Sequence, residues 1–253
     1  MRLILCLVIG VAGCASPPTG EVDLAKSLLD KAVAASAETF APESLKAARQ
    51  AQVALAAELQ AQNGKWFKSY TAAAELAIVA QAAADKAVTE ASASKDETLA
   101  AATSGTADDR RGPNLFTNGD FSEGIAGWPK HPDSDVTLSV DVTPAGRAWH
   151  AQYRKGNWIV AQQEHPLQPD TVYVYEAMIK STAPVVALYW QSEIGRFLHT
   201  DRSYPEWTHL RYVFLTPHWA GKPYATGFCP VLMQGSGEVW LKDLKLTEFK
   251  PRG

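Results

Sequence analysis

The sequence has no excess of basic residues, and this removes one class of function. Its 253 residues carry 24 Lys and Arg against 27 Asp and Glu, a formal net charge of −3. Domains that bind nucleic acid usually show a basic face or stripe. The composition therefore gives no support to a nucleic-acid partner.

Catalytic motifs are also missing. The six His residues form no His-x-His pair and no His-Glu-x-x-His motif, and no Gly-x-Ser-x-Gly elbow occurs. Glycoside hydrolysis needs two placed carboxylates, and nothing in the sequence nominates a pair. We therefore expect a protein that is not an enzyme and that needs no cofactor.

No apolar run is long enough to cross a bilayer, which takes about 20 residues. The N-terminal run from Leu3 to Ala12 follows a single Arg2 and leads into small residues, the layout of a secretory signal. Its last part, VAGC, resembles the bacterial lipobox. The resemblance implies a signal peptide at 1–13 and a Cys14 that carries acyl chains such as palmitate.

The residues after Cys14 suggest where such a lipoprotein would go. Ala15 follows the Cys and no Asp is present, which resembles lipoproteins of the Gram-negative outer membrane, facing the periplasm or the cell surface. Residues 14–22 form a tether. Once the leader and Cys14 are accounted for, Cys229 is the single free thiol, so no intrachain disulfide is expected.

The composition then changes twice along the chain, which predicts α + β in separate domains. Residues 23–104 are Ala-rich with apolar positions at helical spacing, and predict a helical hairpin or three-helix coil. Trp66, Phe67 and Tyr70 are interpreted as a small cap on the end of this bundle. Residues 105–113 read as a linker, and 114–249 as an all-β domain.

The stretch FAPESLKAARQAQVAL, from Phe40 to Leu55, resembles the Ala-rich helical domain of uncharacterised envelope lipoproteins of Gram-negative bacteria. That resemblance implies a coiled-coil stalk or spacer with no chemistry of its own. It also leaves room for an envelope protein partner that docks on the helices.

The C-terminal segment alternates apolar and polar residues over about nine strand-like stretches, the first being NLFTNGDF, which predicts a β-sandwich. The order of its signals resembles the jelly-roll carbohydrate-binding modules of the galactose-binding-like fold, and this implies a glycan ligand. The matching positions are Asn118, Phe121, Gly127, Trp128, Leu167, Pro169, Thr171, Tyr173, Trp207, Phe214, Val239, Trp240, Asp243 and Leu246.

Sugar sites combine flat aromatic rings with polar side chains that bind hydroxyl groups. Reading the strands with period two, we expect a polar stripe on the outward face of one sheet, with two Trp residues as a platform. The predicted glycan-binding residues are Trp158, Glu176, Tyr189, Gln191, Arg211 and Trp219.

The same resemblance implies a structural calcium ion between the first and last strands. Asp120, Glu123 and Asp243 are the candidate ligands. Two departures weigh against the site: Ser122 stands where an acid is expected after Phe121, and Lys242 replaces the first Asp of the closing pair.

Together these patterns predict a lipid-anchored envelope protein whose β-sandwich binds a glycan or cell-wall polysaccharide without catalysis, with the helices as spacer. A different class of function is a structural envelope protein that uses both parts for protein–protein interaction. A third is a glycan hydrolase whose catalytic residues the motifs do not reveal.

Overall fold

The structure is a computed structural model, and its contacts divide the chain into two units, Met1–Ser94 and Lys95–Gly253. It describes residues 16–105, 108–129, 136–144, 146–154, 163–191, 202–218, 224–233 and 236–252. Of residues 108, 186–191 and 224–233 it describes the backbone alone.

The N-terminal region is helical, as the sequence predicts. Its elements are α1 (Thr19–Ala34), the short α2 (Ala37–Phe40), α3 (Pro42–Asn63) and α4 (Thr71–Ser104). Pro42 occupies the first turn of α3, where its missing N–H costs no helical hydrogen bond. No helix of the described chain is both long enough and apolar enough to cross a bilayer.

Alanine lines the inner face of the helices at heptad spacing. The buried residues of α4 include Ala73, Ala77, Ala80, Ala84, Ala87 and Ala91. Alternate steps of four and three keep one narrow stripe facing the neighbouring helices. Ala25 of α1 and Leu55 of α3 share a core cluster with the first half of that stripe, so α1, α3 and α4 pack together.

The predicted aromatic cap is wrong for two of its three residues. Tyr70 is 8% exposed and belongs to the helical core, whereas Trp66 is 92% exposed and Phe67 is 82% exposed. Both lie in the non-helical connection between α3 and α4. The sequence pattern predicts that the last helix starts at about Trp66, but α4 begins five residues later, at Thr71.

The C-terminal region is an antiparallel β-sandwich, again as predicted. One sheet has the strand order β1-β2-β8-β4-β6 and the other β3-β7-β5. The strands are β1 (Val136–Thr143), β2 (Gly146–Tyr153), β3 (Gln163–Leu167), β4 (Val172–Ser181), β5 (Val185–Gln191), β6 (Thr208–Leu215), β7 (Tyr224–Met233) and β8 (Gly237–Phe249).

Large aromatic residues fill the space between the sheets. Alternation along VYVYEAMIK predicts that Tyr173, Tyr175, Ala177 and Ile179 of β4 face the core. All four are at most 1% exposed, which confirms this face. Further members of the same cluster are Phe121, Trp128, Trp149, Tyr153, Leu167, Val185, Leu210, Phe214, Val239, Leu241, Leu244 and Leu246. This core joins residues of both sheets and fixes their packing.

Strand β8 contains a bulge. Its pairing with β4 shifts between Glu176 and Met178, and Asp243 adopts a left-handed backbone with φ 56°. The extra residue changes which positions face inward: Leu241 is in the core before the bulge and Leu244 after it.

The first predicted strand, NLFTNGDF, is not a strand. It forms turns beside β8, and Asn118 and Phe121 have left-handed φ values of 49° and 56°. The backbone bonds Leu244 N–H to Gly119 O (2.9 Å), and a Cβ built on Gly119 would lie 2.2 Å from the Leu244 oxygen. The sequence pattern predicts Phe121 and Trp128 as core anchors of the domain, and both side chains are buried.

Candidate functional site

Asn118 holds together the loop that opens the sandwich. Its side-chain amide donates to the carbonyls of Gly124 (2.9 Å) and Ala126 (2.7 Å), and its Oδ1 accepts from the Glu123 N–H (3.0 Å). The indole Nε1 of Trp128 donates to the Asn118 carbonyl at 3.1 Å. One polar side chain and one buried ring therefore give the loop a fixed shape.

Gln163, at the start of edge strand β3, clamps this loop to the sheet. Its Nε2 donates to the Thr117 carbonyl (2.8 Å) and its Oε1 accepts from the Thr117 N–H (3.0 Å). The side chain is 7% exposed, so both bonds are shielded from water. The clamp makes the junction of loop and strand a rigid surface.

A pocket of about 430 Å³ lies at this junction. The volume falls in the range of small-ligand sites, about 300–1,000 Å³. Its described lining consists of Thr117, Gly127, Pro129, Gln163, Glu164 and His165. Hydroxyl, amide, carboxylate and imidazole groups are all represented, which suits a ligand rich in hydroxyl groups.

His165 contributes a neutral ring to the pocket. Burial lowers the pKa of His165 below its usual value of 6.5, because the charged form loses hydration. The ring meets Phe116 edge-on, with centroids 5.4 Å apart, and its Nε2 lies 3.2 Å from the Gln163 Oε1. Glu164, between Gln163 and His165 in the chain, also lines the pocket and is exposed.

Two predicted glycan-binding residues, Glu176 and Arg211, pair with each other on neighbouring strands β4 and β6. Arg111 adds a second ion pair to Glu176, with 2.6 Å between Nη1 and Oε2, and Arg211 also donates to the carbonyl of Ala102 at the end of α4. The Glu176 side chain is 12% exposed.

The two guanidinium groups strongly lower the pKa of the Glu176 carboxyl group. Burial by itself would raise the pKa of Glu176, but hydrogen bonds and charge from Arg111 and Arg211 outweigh it and lower the pKa to about 2. We name these residues the Glu176 cluster. The Glu176 carboxylate is therefore already paired within the chain, with both guanidinium groups.

The predicted single polar stripe is wrong, because its members belong to different sheets. Glu176 and Arg211 lie in the five-stranded sheet, while Tyr189 and Gln191 lie on β5 of the three-stranded sheet. Pairing order, which period-two reading does not reveal, separates them. The side chains of Tyr189 and Gln191 fall outside the described residues, as do Trp158, Trp219 and Cys14, the predicted lipidation residue.

Trp240 on β8 is a further candidate for binding a ligand, and it lies in the five-stranded sheet. Its ring stacks on His150 at 4.5 Å and its Nε1 donates to Asp141 at 2.9 Å. Asp141 also lies 3.1 Å from Nδ1 of His150. These contacts satisfy the ring within the sheet, so the pocket beside β3 offers the more open set of ligand groups.

The three predicted calcium ligands do not form a cluster. Among the described residues, no three His, Cys, Asp or Glu side chains are placed to hold a metal ion. The Asp120 Oδ1 accepts from the backbone N–H (3.1 Å) and hydroxyl (2.9 Å) of Ser122, which lowers the pKa of Asp120. Asp120, Glu123 and Asp243 are all exposed.

The pocket residues Thr117, Glu164 and His165 were missed at the level of sequence. The stretch QEHPL contains Pro166, which argues against a central strand, but β3 is an edge strand, where proline is tolerated. A polar run directly before a proline was the available signal.

Comparison with known proteins finds similarity in solved structures alone: no family model and no curated protein matches. A family 16 carbohydrate-binding module is 20% identical, with 53% of this chain and 99% of that chain covered and a TM-score of 0.37. The xylan-binding domain of Paenibacillus barcinonensis Xyn10C is 10% identical over 53% and 94%, with a TM-score of 0.41.

A cyclase from Fischerella is also similar, at 14% identity over 56% of this chain and 98% of that chain, with a TM-score of 0.44. The β-sandwich thus resembles both binding modules and enzymes. These similarities describe the fold and do not choose between the two kinds of function.

Proposed function

We propose that the β-sandwich binds a glycan without catalysing a reaction. The observation that supports this is the pocket of about 430 Å³ beside β3, with its hydroxyl, amide, carboxylate and neutral imidazole groups. The predicted platform residue Trp158 lies five positions before Gln163 in the chain. Sugars stack on aromatic rings, and Trp158 is the residue proposed to supply such a ring.

The non-catalytic part of the proposal rests on the acids of the pocket. Glu164 is the single carboxylate among its described lining residues. Hydrolysis of a glycosidic bond normally requires two carboxylates on either side of that bond. Glu164 is therefore assigned to hydrogen bonding with ligand hydroxyl groups.

Binding can be tested with residues 15–253 on a glycan array and on cell-wall polysaccharide. Glu164→Gln is expected to weaken binding about tenfold, the usual loss for a hydrogen bond to a charged group. Trp158→Ala should weaken it at least as much. Glu206→Gln, an exposed acid ahead of β6, is the matched control. Equal binding by all variants would exclude this pocket.

The second part of the proposal is location: the chain is held to an envelope membrane by acyl chains on Cys14. Several acyl chains together give an effectively permanent anchor, since each buried CH₂ contributes about 0.8 kcal/mol. Cys14→Ser should release the protein from the membrane fraction and abolish palmitate incorporation. A variant that stays in the membrane would contradict the anchor.

A further inference from the structure

The connection between α3 and α4 exposes its aromatic residues. Trp66 is 92% exposed and Phe67 is 82% exposed, the largest exposed fractions among the big apolar side chains of the described residues. The surface of a soluble protein seldom carries two neighbouring exposed aromatic side chains unless they bind a partner. We name residues 63–69 the aromatic tip.

Both ends of the aromatic tip are fixed. Gln62 is 4% exposed, and its Oε1 accepts from the Ser69 N–H at 3.1 Å while its Nε2 donates to Glu58 at 2.6 Å. Tyr70 is buried in the helical core. The exposed rings therefore sit on a closed loop with anchored ends and do not belong to a fraying terminus.

The charges of the aromatic tip all have one sign. Lys65 and Lys68 flank the two rings, and the sequence contains no Asp or Glu between Glu58 and Glu75. Both lysines are exposed. Rings bracketed by lysine suit the boundary of an anionic bilayer, where rings enter the headgroup region and ammonium groups meet lipid phosphates.

The same end of the helical unit leads to the N-terminus. The Glu21 carbonyl near the start of α1 accepts from Nε2 of Gln81 at 2.8 Å, and Gln81 lies about 15 Å along α4 from Thr71. The stretch from Cys14 to Thr19, where α1 begins, can span up to about 17 Å when extended. An anchor at Cys14 can therefore reach the level of the aromatic tip.

We propose that the aromatic tip inserts Trp66 and Phe67 into the interface of an anionic phospholipid membrane, next to the N-terminal anchor. The inference rests on the proposed anchor for the choice of membrane-facing end. Insertion would orient the helical unit with the α3–α4 connection against the bilayer. A lipid anchor alone would leave it free to rotate.

The test uses residues 15–253 with an N-terminal histidine tag, bound to vesicles that contain a nickel-chelating lipid, phosphatidylcholine and phosphatidylglycerol. An environment-sensitive dye is attached at Ser69→Cys or, as control, at Ala34→Cys, the exposed far end of α1, both in a Cys229→Ser background. We expect a blue shift of the dye emission at position 69 and none at 34.

Trp66→Ser combined with Phe67→Ser should remove the shift, and Lys65→Gln combined with Lys68→Gln should reduce it. Helical circular dichroism should stay unchanged, because all four side chains are exposed. A dye at 69 that does not respond, or responds equally in the serine variant, would overturn the inference and assign the tip to a protein partner.

The tag supplies the attachment in this experiment, so its result does not depend on lipidation. The fractionation of Cys14→Ser tests the anchor separately. The dye experiment can therefore fail while fractionation supports the anchor, or succeed while fractionation contradicts it. The two proposals can thus be judged separately.

Discussion

The two units of the chain differ in the size of the side chains that they bury. The helical unit buries mostly alanine, with Leu45 and Leu55 as its largest fully buried side chains, while the sandwich buries Trp128, Trp149 and a set of Tyr and Phe residues. Small side chains bury little apolar area each but allow close helix approach. Large rings bury much more and tolerate less change.

The difference shows that the two units use aromatic residues in different ways. In the helical unit Trp66 and Phe67 are exposed, while the alanine stripe, Phe40 and Tyr70 are buried. In the sandwich the described aromatic residues are mainly buried. We therefore expect the sandwich to be the more stable unit, and the helical unit to depend on its packing stripe.

The largest effect is expected from Trp128→Ala, which removes a fully buried indole and its bond to Asn118. Loss of a buried Trp costs about 4 kcal/mol. Chemical denaturation should show the sandwich transition moving to lower denaturant. A helical transition that moves equally would mean that the two units unfold as one.

Gly119→Ala should be next, because the added Cβ would meet the Leu244 carbonyl, a backbone atom that cannot move aside. A cost of about 3 kcal/mol is expected. Thermal unfolding measures it, and Gly124→Ala, which has open space but a positive φ of 68°, separates steric clash from backbone strain. A smaller loss at 119 than at 124 would show that the loop relaxes away from β8.

In the helical unit, Ala77→Leu tests the opposite change, a larger side chain in a core of small ones. Ala77 is fully buried in the heptad stripe, so a larger side chain forces the helices apart at a cost of about 2 kcal/mol. Ala56→Leu on the exposed face of α3 is the control. Circular dichroism at rising temperature should separate the two. Equal melting would mean that the helices are not closely packed.

The smallest losses of stability are expected when an ion pair is removed from each unit. Glu176→Gln leaves Arg111 and Arg211 without their counter-charge and should cost about 1.5 kcal/mol, since the site is mostly covered. Glu38→Gln in the helical unit breaks a pair with Arg49 that is about half exposed, and should cost at most about 0.5 kcal/mol.

The effect at Glu176 should depend on pH with a definite sign. The folded pKa of about 2 lies below the ordinary 4.5, so the stabilisation is full above pH 4.5 and disappears as pH falls towards 2. Denaturation of wild type and Glu176→Gln should therefore converge below pH 3. Parallel curves down to pH 2 would contradict the assigned ion pairs.

Periodicity predicted most of the architecture. The strand over Val185–Gln191 and the inward face of β4 follow from alternation alone. The strand predicted from Asn114 was wrong, because a hydrophobic pattern does not reveal residues with a left-handed backbone such as Asn118. Pattern identified Phe121 as a core residue without revealing the turn that puts it there.

The site was harder to predict because it depends on pairing between distant segments. Glu176 and Arg211 were correctly assigned to one face, yet their partner Arg111 is 65 residues from Glu176. The pocket brings Thr117 next to Gln163 across 46 residues. Contacts at such separations are set by sheet order, which one sequence does not show.

The bulge in β8 has a consequence for how this domain can vary in length. On its two sides, opposite parities of residue number face the core, as Leu241 and Leu244 show. Deleting Asp243 would leave Leu241 and Leu244 two positions apart, so both halves of β8 would keep their inward residues and the ladder with β4 would become regular. We therefore expect β8 to tolerate the loss of this one residue, whereas one residue inserted on either side of the bulge would turn the core side chains of that half to the opposite face.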